Sequence, residues 1–108
     1  MRHPYDPKHA RALAPLLDSI SSEIEERSLA LEALEGRIHA LKNSPFYAGE
    51  LRVLEADVAA HRREMRQCHD ELERLGCTVL GTTPITIRIP TLVGKKRRSL
   101  VWQHVADD

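Results

Sequence analysis

His61, Met65 and Cys68 follow one another at i, i+4 and i+7, a spacing that puts three soft ligand types on one face of a helix. His69 stands beside them, and imidazole, thioether and thiolate together suit copper(I) or zinc. Pairing the chain with itself about a turn near Phe46 sets Arg27 opposite Met65 and Leu31 opposite His61, so Arg27 joins the group. A fixed guanidinium would repel a bound cation, and none of the recognised zinc spacings is present. Methionine and cysteine are ordinary core fillers. A histidine or arginine in an apolar seam usually sets helix register or oligomer state at some cost in stability. The preferred reading of Arg27, His61, Met65, Cys68 and His69 is therefore a polar waist that sets register. Soft-metal binding at His61, Met65 and Cys68 is an alternative, and no metal site or cofactor is assigned. If buried, Arg27 needs an acidic partner: Glu23, four residues before it, or Glu64 beside Met65.

A second group with chemical potential is basic. Arg88, Lys95, Lys96, Arg97 and Arg98 all lie beyond Cys77, where Asp107 and Asp108 are the only acids. On an exposed hairpin loop these cations could contact the phosphates of RNA or DNA, with Trp102 as a stacking ring. They could equally keep a sheet edge soluble and unpaired. The bland reading is preferred, with Trp102 packed on the helices and a polyanion-binding protein kept as the alternative function.

The elements that must carry these groups follow from periodicity. Asp6-Pro7 is a helix start, because the carboxylate can cap free amides and proline needs no donor at the first position. Leu13, Leu17, Ile20, Ile24, Arg27, Leu31, Leu34, Ile38 and Leu41 step alternately by four and three, a heptad seam with Arg27 as its intruder. Pro15 predicts a kink, since it cannot donate to the carbonyl of Arg11. Asn43-Ser44-Pro45 ends this first helix, over 6–43, and Ser44 can cap the next. The second, over 45–76, carries Leu51, Leu54, Val58, His61, Met65, Cys68, Leu72 and Leu75 and stops at Gly76. Residues 77–105 read as a β-hairpin, preceded within that span by a short extended run, Thr78-Val79-Leu80, and a turn, Gly81-Thr82-Thr83-Pro84. Ile85, Ile87 and Ile89 alternate with Thr86 and Arg88, Pro90 ends that strand or marks an edge, 94–98 is a polar loop, and 99–103 is the return strand.

Order and type together are similar to a known family. The sequence Tyr5-Asp6, then Ala10, Leu13, Pro15 and Leu17, precedes two long charged helices. Glu71-Leu72, Leu75-Gly76, Ile87 to Pro90, Gly94 and Leu100-Val101-Trp102 follow in order. This pattern resembles the uncharacterised bacterial family known as domain of unknown function 2203, over nearly the whole chain. Arg88 stands where that family prefers an acidic residue. The resemblance implies the architecture and brings no activity with it.

Bulk properties fit one mainly α domain of 108 residues, whose core is aliphatic because only four residues are aromatic. Sixteen basic and sixteen acidic residues cancel, so no global pull on nucleic acid or membrane is expected. No run approaches the ~20 apolar residues of a membrane span, no signal peptide is apparent, and two cysteines read as free thiols, so a cytoplasmic location is expected. Two helices of ~45 Å bury only one stripe each. Leu29 and Val53 offer a second stripe, and the natural solution is a homodimer closing a four-helix bundle. No phosphate loop or nucleophile–base pair is recognisable, so no enzymatic activity is expected. The function expected is a non-catalytic homo-oligomeric interaction or scaffolding module.

Overall fold

A computed structural model describes residues 4–105. The chain is mostly helical and carries a small antiparallel sheet after its two long helices. The elements run α1 (Pro7–Ala12), α2 (Ala14–Leu41), a 3-10 turn (Pro45–Tyr47), α3 (Ala48–Arg74), β1 (Thr78–Thr82), β2 (Ile85–Val93) and β3 (Lys96–Gln103). They divide into two compact units. One joins 4–22 to 68–105, and the other is 23–67.

In the first unit, Asp6 caps α1 through a 2.9 Å bond from the His9 amide, and that bond holds its carboxyl below the usual range. Pro15 interrupts the helix one turn later. Its nitrogen has no proton for the carbonyl of Arg11, so α1 ends at Ala12, Leu13 bonds back to Ala10, and α2 starts at Ala14. At the other end, α3 closes in a full Schellman motif. Gly76 takes φ 77°, its amide bonds Glu73, and the Cys77 amide bonds Leu72.

The sheet corrects the expected two-stranded hairpin in three respects. It has three strands in the order β1-β2-β3. Residues 78–82 pair with β2 despite an irregularity between Val79 and Gly81. Second, β2 runs through Pro90 to Val93. The Pro90 carbonyl accepts from the Tyr5 amide at 3.0 Å, and the Leu92 amide donates to the Tyr5 carbonyl at 2.8 Å. A strand residue directs its N–H and C=O to one side, so Pro90 turns its donorless nitrogen toward Tyr5 and away from the β3 ladder. Third, the loop expected over 94–98 shrinks to Gly94-Lys95, since Val93 pairs with Lys96 and β3 begins there. Gly94 has φ 62° and Lys95 after it does not take a positive φ, which matches the type II′ pattern of glycine first. Gly94→Ala should therefore cost about 1–2 kcal/mol in chemical denaturation, because alanine is strained at that φ. A cost near zero would show that the turn relaxes to another type.

The core of this unit is aliphatic. Ala10, Leu17, Ile20, Cys68, Leu72, Cys77, Ile85, Ile87 and Ile89 are buried, and Ile87 pairs with Trp102 and Ile89 with Leu100 on the inward face of the sheet. The Tyr5 hydroxyl ties the N-terminal segment to α3 by donating to the Leu75 carbonyl at 2.8 Å.

The second unit holds the remainder of α2, the turn and most of α3, running antiparallel. Arg37 bonds Glu50 and Arg62 bonds Glu35 across the pair. Ser44 precedes the 3-10 turn in an extended conformation but makes no side-chain capping bond, contrary to its expected role. Ile24, Leu41 and Val58 are buried, whereas Leu31, Leu34, Ile38, Leu51, Leu54 and Met65 along the same seam remain half-buried.

Candidate functional site

The polar waist contracts to three residues. The Arg27 guanidinium lies 3.1 Å from His61 Nδ1 and 3.5 Å from Glu23 Oε1, with Arg27 and His61 both half-buried. Arginine can only donate, so Nδ1 of His61 must accept, and the ring carries its proton on Nε2. Arg27 thus reaches His61 instead of the Met65 that the pairing about Phe46 set opposite it. Glu23, one turn earlier on α2, supplies the acidic partner that Arg27 requires. Met65 is half-buried in the same unit. Cys68 is buried in the first unit, and His69 is exposed. Among the described residues, no three His, Cys, Asp or Glu side chains gather as a metal ion would need. The triad can hold helix register, because sliding either helix by a turn would part the half-buried guanidinium from His61 and leave it only Glu23 on its own helix.

The basic group is placed differently from its expected position on a loop. Only Lys95 lies in the turn. Lys96, Arg97 and Arg98 lie in β3 and Arg88 in β2, all exposed. Alternation along a strand sends them to both faces. Arg88 and Arg97 share the outer face with Leu92 and Val101, while Lys96 and Arg98 share the side of Ile89 and Leu100. Trp102 is half-buried on that inward side, so it is not displayed beside Arg88 and Arg97 as a stacking platform would be.

A pair that sequence reasoning missed lies in the first unit. His104 is 7% exposed and its Nδ1 donates to Asp18 Oδ1 at 3.0 Å. Its backbone amide bonds the Ile85 carbonyl, and its ring sits 6.1 Å from that of Trp102. Beside it, Ala14, Pro15, Asp18, Trp102, Gln103 and Val105 line an open depression of about 360 Å³. The signal was available in part. Leu100, Trp102 and His104 continue the inward period of two, which marks His104 as an inward residue. Nothing local points to Asp18, 86 residues away. Within α2, the Ser21 hydroxyl is fully buried and has no hydrogen-bond partner among the described residues.

A profile of uncharacterized conserved proteins, DUF2203, matches residues 3–107. The chain belongs to this family. Among curated proteins and among solved structures, none matches it. Membership of DUF2203, a family of uncharacterised proteins, leaves the function to be argued from the surfaces. No helix among the described residues is long and apolar enough to cross a membrane.

Proposed function

We propose that this DUF2203 protein is a non-catalytic homo-oligomeric interaction module whose helical unit, 23–67, pairs with a second copy into a four-helix bundle. The observation that carries the reading is the open seam. Six of its apolar residues, Leu31, Leu34, Ile38, Leu51, Leu54 and Met65, are only half-buried. A seam closed by a partner helix would bury them, at about 25 cal/mol per Å² of apolar surface removed from water. Ile38 and Val58 also line an open groove of about 360 Å³ with Glu55, Ala59, Arg62 and Arg66.

Off the seam, Leu29 is 62% exposed and Val53 61%. Along α2, Leu29 is followed by Ala33, Gly36 and Ala40 at heptad spacing, all exposed, and a Cβ built at Gly36 meets nothing within 4 Å. Small side chains there let another helix approach closely. A soluble module of this kind would act in the cytoplasm, where its two thiols stay reduced.

Sedimentation of the full chain at about 10 μM should give a dimer whose melting temperature rises with concentration, as mass action requires. Leu29→Glu with Val53→Glu should shift it to monomer. A wild-type chain that is monomeric, cooperatively folded and insensitive to concentration would overturn the reading.

A further inference from the structure

Among the described residues, strand β3 ends the sheet and no strand pairs with its outer edge. Tyr5 and β1 occupy the far side of β2, and the β2 residues facing them are those whose N–H and C=O point away from β3. The register then divides β3. Lys96, Arg98, Leu100 and Trp102 exchange bonds with Val93, Thr91, Ile89 and Ile87. Arg97, Ser99, Val101 and Gln103 turn their backbone groups outward, where no strand follows among the described residues. Strand β3 is eight residues long, enough to template another strand.

Charge says what that strand would be. Residues 77–105 contain five basic side chains and no acid. None of these five forms an ion pair with another described residue, whereas Arg27, Arg37 and Arg62 on the helices each hold a glutamate. Lysine and arginine on an edge repel a like edge, and by the same field they favour an acidic one. The cations also alternate between the two faces. A nucleic-acid backbone lying on one face meets at most two of Lys96, Arg97 and Arg98. A strand added in the plane of the sheet has side chains alternating in step and meets all three.

We infer that the β3 edge is a docking site for an acidic extended segment of a partner protein, added as a fourth, antiparallel strand. Its backbone bonds Arg97, Ser99, Val101 and Gln103. It carries consecutive acidic residues opposite Lys96–Arg98 and β-branched residues opposite Leu100 and Val101. This surface lies on the sheet and is independent of the proposed helical dimer.

The test uses the full chain, amide hydrogen exchange by NMR, and a synthetic peptide of about ten residues with alternating valine and threonine followed by three glutamates. Binding should slow exchange at Arg97, Ser99, Val101 and Gln103 by at least tenfold and leave Arg98, Leu100 and Trp102 as they were. Charge reversal by Arg97→Glu with Arg98→Glu should weaken binding at least tenfold. Ser99→Pro should do the same with every charge intact, because it removes an outward donor and no β2–β3 bond; if proline disturbs the sheet, the charge reversal alone decides. The inference is overturned by any of four results: no binding at low salt, equal binding of a scrambled peptide, tighter binding of a uridine oligonucleotide, or outward amides already protected in the free protein, which would place a second copy on the edge.

Discussion

Replacing Ile87 with alanine should destabilise the sheet-bearing unit by about 3 kcal/mol, within the range for large-to-small changes at sites that cannot collapse. Ile87 is fully buried in the central strand, flanked by Val79 on β1 and Trp102 on β3. Three neighbouring elements would have to move to fill the space, and the ladders on both sides resist that. For a domain of this size, such a loss is a large share of the ~5–15 kcal/mol that holds a fold together. It corresponds to a fall of roughly 12–24 °C in melting temperature. Val101→Ala is the informative control. It also removes a β-branched side chain from a strand, so the loss of β propensity is shared. Val101, however, is 56% exposed on the outer face, and its replacement should change stability by no more than about 0.5 kcal/mol. Comparable losses at the two positions would show that the inward and outward faces have been assigned wrongly.

The contrast between these two positions also separates what a linear reading can see from what it cannot. Ile85, Ile87 and Ile89 announce their strand because one face is buried and the alternation is unbroken. The heptads of α2 and α3, the Asp6-Pro7 start and the Gly76 stop are equally local, each residue acting on its own turn of chain. Strand β1 shows only as the short extended run 78–80, because the irregularity between Val79 and Gly81 breaks its period and the glycine mimics a turn, which hides its pairing with β2. The passage of β2 through Pro90 is not local at all. It depends on which side of Pro90 faces β3, and that is decided by Tyr5, far away in sequence. Lys96, Arg97 and Arg98 read as a loop because charge is the usual mark of one. Cross-strand pairing with Leu92, Thr91 and Val93 outweighs that preference once the Gly94 turn sets the register. The candidate sites follow the same division. Arg27 and His61 are visible as intruders in two seams, but pairing the seams set Arg27 opposite Met65, and its reach to His61 belongs to the folded side chains. The bond from His104 to Asp18 depends on the folded arrangement of the first unit, so only the inward direction of His104 is legible.

Replacing both seam intruders, Arg27→Leu with His61→Leu, should stabilise the helical unit by about 1–4 kcal/mol. Exchanging a desolvated polar group of charges for packed apolar residues is often favourable by that amount. The Arg27 side chain is 30% exposed and its glutamate partner 42%, so part of the ionic contribution is already screened by water. Leucine at both positions would instead continue two heptad stripes without a break. The single change Arg27→Leu should gain less, because it leaves His61 Nδ1 without its donor, and an unsatisfied acceptor costs about 1–3 kcal/mol where water cannot reach it. The gap between the single and double variants therefore measures how dry the waist is. The stabilised double variant should also lose definition. With Arg27 and His61 gone, no half-buried polar pair opposes a slide of one heptad or the addition of further helices. Native mass spectrometry should then show several oligomeric states for the double variant and a single one for the unaltered chain. A double variant that is less stable than the parent would place the triad among the contacts that hold the fold. One that is more stable yet keeps a single state would show that register is set elsewhere in the seam.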